Sequence, residues 1–235
     1  QATRNRNYFN PDIHIPSINL NWQAALHTRL QFISSAVLGK RNSVLFDKPA
    51  NVKDSINAAT LQYNNRQVDI DQFNSYTAEL RILQEYKLGK QWSAITTGVQ
   101  YMNNDLHRTQ MGKGTTGTDF DLSLVTPGWG RDVHLKTKNI ALFAENRFQL
   151  MKNFSVNTGA RIEIGRTDMS GEISYYPGNE LPVTIKHQFP LFGLNLSYSP
   201  NKYFEIYGGA SQAYRPMLFK DLIPASIYEK VDPNI

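Results

Sequence analysis

Cysteine is absent from this 235-residue sequence, which excludes disulfide bonds, thiolate metal sites and a cysteine nucleophile. Long apolar runs are absent as well, since no stretch approaches the roughly 20 apolar residues that a membrane helix requires. A helical membrane protein is therefore excluded. A membrane protein built from strands is not excluded, because only alternate residues of such strands touch lipid while the others face a polar interior.

Clustered charge of one sign is also lacking. Lys and Arg number 25 against 20 Asp and Glu, an excess that permits an anionic partner. The basic residues are scattered along the chain and do not gather on one helix or stripe. This distribution argues against a nucleic-acid partner.

Signatures of catalysis and of nucleotide binding are missing too. The sequence contains no G-x-S-x-G elbow, and lone pairs of Asp or Glu do not specify general acid and base roles. The segment Gly112–Gly117 superficially resembles a phosphate-binding loop, but it lacks the G-x-x-x-x-G-K-[ST] spacing and a following helix pattern. We expect its glycines to allow sharp turns, and we expect a protein that is not an enzyme.

The chain does contain eight alternating, strand-like segments arranged in four pairs. The pairs are Ile18–Ala24 with Leu30–Leu38, Tyr76–Tyr86 with Ser93–Tyr101, Ile140–Phe148 with Phe154–Ile164, and Phe192–Tyr198 with Phe204–Ala210. Short connections join the members of each pair: Leu26–Thr28, Lys87–Lys90, Gln149–Asn153 and Ser199–Tyr203. Long polar loops follow the pairs, at about Asp47–Gln72, Asp105–Thr137, Asp168–His187 and from Tyr214 onward. Short turns alternating with long loops are typical of outer-membrane barrels, whose short turns are periplasmic.

The predicted strands have one apolar and one polar face, although in the first pair Ile33 and Val37 fall on the face opposite to the other apolar residues. In Phe154–Ile164 the even positions are mostly apolar and the odd positions are polar or small, which is period-2 alternation. Pairing across Gln149–Asn153 keeps even residues opposite even ones, so the apolar faces of both strands fall on the same side of the sheet. The polar face carries charges of alternating sign that we expect to pair across strands: Glu79, Arg81, Glu85, Glu145, Arg147, Arg161 and Glu163.

Aromatic residues flank the short turns, which favours lipid over a soluble core. They are Tyr86 with Trp92, Phe148 with Phe154, and Tyr198 with Tyr203 and Phe204. Such rings are typical of the interfacial girdle of a membrane barrel. A soluble β-sandwich, in which the apolar faces would pack on each other, stays open as an alternative, as does an outer-membrane barrel enzyme.

Several phrases resemble the TonB-dependent outer-membrane receptors, and within them the branch similar to ferric dicitrate receptors. The phrases are Arg41-Asn42-Ser43-Val44, Gln110–Phe120, Asn139–Asn146, Gly159–Glu163, and Ala213-Tyr214-Arg215-Pro216 running into Asp232-Pro233-Asn234. The resemblance implies an all-β fold, an antiparallel transmembrane barrel segment that contributes about eight strands to a barrel of 22. Residues 1–235 would all belong to one barrel domain. We expect the plug domain, the TonB-contacting segment and the remaining strands to lie outside this piece of the chain.

The same resemblance implies active import of a ferric chelate across the bacterial outer membrane, with ferric dicitrate or a similar siderophore as cargo. The alternative cargoes are haem, another siderophore or a saccharide. The implied partners are the chelate, the TonB complex, and outer-membrane lipid and lipopolysaccharide, with no nucleic acid and no resident cofactor, because iron arrives already chelated.

Arginine suits an anionic chelate, because its planar fork makes bidentate, charge-assisted contacts with carboxylates. The candidate ligand-binding residues near the outer strand ends are Arg41, Arg108, Gln110, Arg131, Arg166 and Arg215. A solvated loop charge or a lipopolysaccharide contact is the alternative role for each of them. His107, His134 and His187 lie in or beside the same loops, but they lack the i, i+4 spacing of a metal site, and we predict no metal site.

Overall fold

The computed structural model describes residues 4, 6–178, 181, 184–214, 221, 223–226, 228 and 229, and its regular structure is nine β-strands. The strands are β1 (Tyr8–His14), β2 (Ser17–Ala25), β3 (Thr28–Leu45), β4 (Gln67–Leu88), β5 (Gln91–Lys113), β6 (Arg131–Met151), β7 (Phe154–Ile173), β8 (Thr184–Asn201) and β9 (Phe204–Ser211). In this described part, no helix is long and apolar enough to cross a membrane.

All nine strands form one antiparallel sheet in the order β1, β3, β4, β5, β6, β7, β8, β9, with β2 also paired to β3. The sheet is not closed. β1 and β2 pair with successive halves of β3, so they act as one strand interrupted at Ile15 and Pro16. Proline has no N–H to continue a ladder, which accounts for the break, and β1 is the segment that the sequence pattern missed.

Connections alternate between short and long, as predicted. Two-residue turns join β2 to β3, β4 to β5, β6 to β7 and β8 to β9, whereas residues 46–66, 114–130 and 174–183 form long connections. The sheet thus has a turn end, where the short turns lie, and a loop end, where the long connections lie. Hairpins of this kind are typical of membrane barrels.

The strands extend further toward the loop end than predicted. β5 continues to Lys113 and β7 to Ile173, and β4 begins at Gln67, so the predicted boundaries near Tyr101, Ile164 and Tyr76 were wrong. Beyond the apolar belt of the outer face the backbone ladder continues, but the apolar residues change face: Met169 and Ile173 of β7 lie buried on the inner face, whereas Arg166 lies on the outer face. This inversion of the apolar phase explains why the sequence pattern did not extend to the strand ends.

The two faces of the sheet differ in chemistry as predicted. The outer face carries an apolar belt of exposed side chains: Leu80, Ile82, Val99, Ile140, Leu142, Ile164, Phe192, Leu194 and Leu196. Even residues pair with even ones across the β6–β7 turn, as Leu142 does with Ile162. No second sheet covers this face in the described part of the chain, so the β-sandwich alternative is wrong.

The predicted aromatic girdle is confirmed in part. Phe154 and Tyr198 contact each other edge to face at 6.5 Å on the outer face, and Tyr86 donates to Asn146 Oδ1 at 2.9 Å on the same face. Trp92 is the exception, because it pairs in register with Lys87 and stacks on His27 at 4.4 Å. It therefore lies on the inner face, opposite to Tyr86.

Buried apolar residues concentrate on the inner face at the loop end, where the sequence pattern predicted a polar surface. The cluster consists of Leu106, Val133, Leu135, Met169, Ile173, Tyr176, Ile185 and Ile223. Tyr176 belongs to the β7–β8 connection and Ile223 to the segment after β9, so loop residues fold over the strands and bury this surface. Burial of apolar area against loops stabilises this end of the sheet.

Candidate functional site

A polar network crosses the middle of the inner face from β4 to β7. Glu79 accepts a hydrogen bond from Arg81 and another from Gln100 Nε2 at 2.7 Å. Arg161 donates to Gln100 Oε1 at 2.8 Å and forms an ion pair with Glu163 at 2.5 Å. The inward charges pair within their own strands, Arg81 with Glu79 on β4 and Arg161 with Glu163 on β7, so the predicted pairing of these charges across strands is wrong. Gln100 of β5 links the two pairs across the sheet.

The network continues onto β8 through Asn139 and His187. Asn139 donates to Glu163, and its Oδ1 lies 2.9 Å from His187 Nε2. The guanidinium groups of Arg81 and Arg161 both lie near the Phe143 ring, 5.8 Å and 5.6 Å from its centroid. The inner face is thus polar but internally satisfied at this level, as a hydrated barrel interior requires.

Glu79 is the buried member of this network, and its loss is expected to cost stability. Replacing Glu79 by alanine removes the acceptor of both Arg81 and Gln100 and is expected to lower the free energy of unfolding by about 1–3 kcal/mol. Glu145→Ala is the matched control, because Glu145 is exposed on the same face. Urea unfolding of the full-length protein measures both, and an equal effect of the two changes would contradict a structural role for Glu79.

Nearer the loop end, two of the predicted ligand-binding arginines meet at one carboxylate. Asp71 accepts a hydrogen bond from Arg41 and lies 2.8 Å from Arg108 Nε, and its own side chain is only 3% exposed. The three residues occupy successive register positions on β3, β4 and β5. The exposed fractions of the Arg41 and Arg108 side chains are 38% and 18%, so both remain accessible from the inner side.

Aromatic rings flank Arg41 in this cluster. Its guanidinium lies 5.9 Å from the ring centroids of both Phe9 and Phe73, distances at which cation–π attraction operates. Phe73 also packs against the buried apolar cluster of the loop end. The position of Arg41 is therefore set by an ion pair and by two rings.

Arg131 and Gln110 lie one register step further out, directly opposite each other on β6 and β5. The Arg131 Nε donates to the hydroxyl of Tyr175, and its guanidinium lies 5.4 Å from that ring. Tyr175 in turn donates to the carbonyl of Pro224 at 2.9 Å. Arg131 thus connects β6 to the β7–β8 connection and to the segment after β9.

Other predicted candidates lie elsewhere. Arg166 is exposed on the outer face and pairs with Asp168 at 2.7 Å, so it lies on the opposite side of the sheet from Arg41 and Arg108. Arg215 lies outside the described residues. The structure therefore brings Arg41 and Arg108 into contact, places Gln110 and Arg131 beside them, and separates Arg166 from all four.

The histidines also divide between the two faces. His107 and His134 are neighbours on the outer face, paired with Asp132 at 2.8 Å and Asp105 at 2.6 Å. His187 lies on the inner face in the polar network. Among the described residues, no group of three or more His, Asp or Glu side chains is arranged to hold a metal ion.

The glycine segment serves close packing. A Cβ atom on Gly112 would lie 2.5 Å from the Trp129 ring, and one on Gly114 would lie 2.7 Å from Val68. Neither glycine has a positive φ, whereas Met111 has φ 59°. The expectation of sharp glycine turns is therefore wrong for these two positions. A side chain on Gly112 would collide with Trp129 of the connection between β5 and β6, and one on Gly114 would collide with Val68 of β4.

Sequence reasoning missed Asp71 and Tyr175, because both fell in segments predicted as loops. A signal for Asp71 was present, because Asp71 and Phe73 are separated from Glu79 by even numbers of residues and would share its face if the strand began earlier. Tyr175 gave no such signal, because its contact with Pro224 joins residues 49 positions apart.

Three comparisons with known proteins bear on this arrangement. The model of the family described as TonB dependent receptor-like, beta-barrel matches residues 1–234. No curated protein sequence matches the chain. Two solved structures are similar in fold: the unliganded ferric citrate transporter FecA, at TM-score 0.70 and 15% identity, and the open form of the ferric-catecholate import receptor Fiu from E. coli K12, at TM-score 0.63 and 11% identity.

The chain matches part of each of these barrels. The aligned region covers 89% of this chain and 28% of the FecA chain, and 91% of this chain and 37% of the Fiu chain. At such low sequence identity the likeness shows the fold alone.

Proposed function

The chain belongs to the TonB-dependent receptor-like β-barrel family, and from this membership we propose that it is part of a receptor that imports an anionic ferric chelate. Proteins of this family are outer-membrane proteins, so the belt of the outer face lies in the outer membrane. The receptors of this family are transport proteins, and we propose that this protein transports its ligand without chemically changing it.

The observation that carries the proposal is the cluster of Arg41 and Arg108 around the buried Asp71 on the inner face. With Arg131 close by in register, the surface holds three guanidinium groups against two carboxylates, Asp71 and the neighbouring Asp69, which lies opposite Ser43 on the same face. An excess of positive charge at the loop end favours an anionic ligand arriving from outside.

Arginine forks fit the chemistry of a chelate whose iron is already wrapped in carboxylates. The receptor then supplies no metal ligand and recognises the outer oxygens of the complex through charge-assisted hydrogen bonds. Asp71 pre-orients the two forks before the ligand arrives, which lowers the ordering cost of binding. Phe9 and Phe73 add apolar and cation–π surface beside Arg41.

Transport is proposed to couple this site to a plug domain and to TonB. The polar network from Glu79 to His187 lies between the arginine cluster and the turn end, where it would face a plug inside a closed barrel. Arg131 of β6 is linked by hydrogen bonds to Tyr175 and through it to Pro224. A ligand that contacts Arg131 would therefore shift the two loop segments that contain these residues. Loop closure over the chelate would then signal to the plug.

Ferric citrate is the proposed cargo, because its oxygens suit the Arg41 and Arg108 forks. Haem receives no support from His107 and His134, which lie on the outer face. A catecholate siderophore is the alternative that the aromatic rings beside Arg41 favour.

Uptake in cells tests this proposal. Cells that lack the intact gene are expected to lose accumulation of radiolabelled iron from ferric citrate, and cells that regain it are expected to recover. Ferric catecholate and haem serve as parallel substrates in the same strains. Loss of catecholate uptake alone would show that the cargo is a ferric catecholate instead of ferric citrate, and the protein would still be an importer. Unchanged uptake of every chelate would overturn the proposed function.

A further inference from the structure

The ladder between β4 and β5 is irregular next to the arginine cluster. The register shifts where β4 passes Asp69, so that two residues of β5, Gln110 and Met111, lie opposite this single residue. β4 keeps an unbroken register with β3 at the same level, so the extra residue belongs to β5. This is a β-bulge, a feature that re-aims side chains and is common beside binding and active sites.

Met111 of the bulge adopts a left-handed backbone conformation, with φ 59°. Residues other than glycine rarely adopt it, because their Cβ atom then lies too close to the backbone carbonyl. The N–H of an extra residue in a bulge also lacks a partner in the ladder. Asp69 supplies that partner, since its Oδ1 accepts a hydrogen bond from the Met111 N–H at 2.8 Å. The carboxylate thus offsets part of the strain at Met111.

The Asp69 carboxylate is itself held by side chains of two strands. Gln67 of β4 donates to both of its oxygens at 3.0 Å, and Ser43 of β3, directly opposite, donates at 3.4 Å. Asp69 is half-buried and lies on the same face as Asp71. Its direction is therefore fixed in the absence of a ligand, and protein donors occupy its oxygens.

The residues beside the bulge are two of the predicted ligand contacts. Gln110 precedes Met111 in β5 and lies directly opposite Arg131 of β6. Met111 also packs on Gly130, the residue before Arg131, because a Cβ atom on Gly130 would lie 2.5 Å from the Met111 Cβ. The carbonyl of Gly130 accepts a hydrogen bond from the Ser174 N–H at 2.9 Å. The conformation of Met111 therefore determines how Gln110 and Arg131 are placed at the strand ends.

We propose that Asp69 is a positioning residue of the chelate site. By holding the Met111 backbone, it places Gln110 and Arg131 for the ligand. This role rests on the proposed function, because it assumes that these two side chains contact the imported anion. Asp69 does not contact the ligand itself, since its charge repels an anion and its oxygens already accept from Gln67 and Met111.

Two substitutions of Asp69 are expected to change the affinity for ferric citrate in opposite directions. Asp69→Ala removes the acceptor of the Met111 N–H and is expected to raise Kd about tenfold, since a displaced Gln110 or Arg131 loses about one hydrogen bond to the chelate. Asp69→Asn keeps an oxygen for the Met111 N–H and removes the negative charge, so it is expected to lower Kd about twofold. Fluorescence titration of the purified full-length receptor with ferric citrate measures both changes.

A substitution at Met111 is expected to rescue Asp69→Ala. Asparagine tolerates positive φ better than methionine does, and it keeps the Cβ and Cγ atoms that pack on Gly130. The double variant Asp69→Ala/Met111→Asn is therefore expected to bind about threefold more tightly than Asp69→Ala. Asp132→Ala is the matched control, because it removes a carboxylate at the same level of the outer face, where Asp132 pairs with His107. It is expected to leave Kd unchanged.

Amide hydrogen exchange of the segment around Met111, measured without ligand, separates the bulge from binding. Exchange is expected to be faster in Asp69→Ala and unaltered in Asp69→Asn. Faster exchange in Asp69→Ala without a change in its Kd would overturn the positioning role, and so would equal weakening of binding by the two Asp69 variants. If the unmodified receptor bound no ferric citrate, the proposed cargo would be wrong and this role would be overturned with it.

Discussion

Replacing the whole cluster on the inner face, as Arg41→Gln/Asp71→Asn/Arg108→Gln, is expected to weaken ferric citrate binding to the full-length receptor about a hundredfold. Each charge-assisted hydrogen bond to a charged group contributes roughly 1.5–3 kcal/mol, and two such contacts at a partly exposed site account for about two decades in Kd. Tryptophan or tyrosine fluorescence titration of the purified receptor with ferric citrate measures the change.

The combined variant is preferable to a single arginine change. Asp71 is buried and accepts from both guanidinium groups, so removing one arginine alone would leave its carboxylate partly unpaired and would destabilise the sheet. The combined variant removes the buried charge together with its partners.

Arg166→Gln is the matched control for chelate binding, because it removes one guanidinium from the outer face. It is expected to bind ferric citrate as the unmodified receptor does. If the cluster variant folded normally and kept its affinity for ferric citrate, the arginine cluster would not be the chelate site.

The apolar phase of the strands could be predicted from sequence because lipid contact dictates the chemistry of every second residue. Leu142 and Ile162 pair across the β6–β7 turn with the parity that the alternation requires. Strand length could not be predicted in the same way. Beyond Ile164 the ladder of β7 continues to Ile173, but the apolar residues change from even positions to the inward-facing odd positions Met169 and Ile173, which loop residues bury. The strand end was missed because the apolar phase inverts at this level.

For the arginine cluster, the residue types could be predicted from sequence but their contacts could not. Arginine chemistry singled out Arg41 and Arg108, but their contact depends on the register of β3, β4 and β5 and on Asp71. Trp92 illustrates how sensitive a face assignment is to turn length. The two-residue turn after Leu88 sets Trp92 opposite Lys87, which places the ring on the inner face, away from the girdle.

Leu142→Arg is expected to destabilise the receptor by about 2–4 kcal/mol, because the change puts a cation near the middle of the lipid-facing belt. Leu142 is 51% exposed on the outer face and lies between Val99 and Ile162 in register. The guanidinium of the introduced arginine would have to stay in hydrocarbon or extend along the strand to the lipid headgroups. Denaturant unfolding of the full-length receptor in lipid vesicles measures the loss.

Thr96→Arg places the same side chain on the inner face of the neighbouring strand. There it lies directly opposite Glu145, where a cross-strand ion pair in water costs nothing and contributes a few tenths of a kcal/mol. The two variants therefore differ in the solvent that the guanidinium meets while sharing its size and charge. Equal losses in vesicles would mean that the outer face does not meet hydrocarbon. A loss confined to Leu142→Arg, and smaller in detergent micelles that let water approach the belt, identifies lipid as the cause.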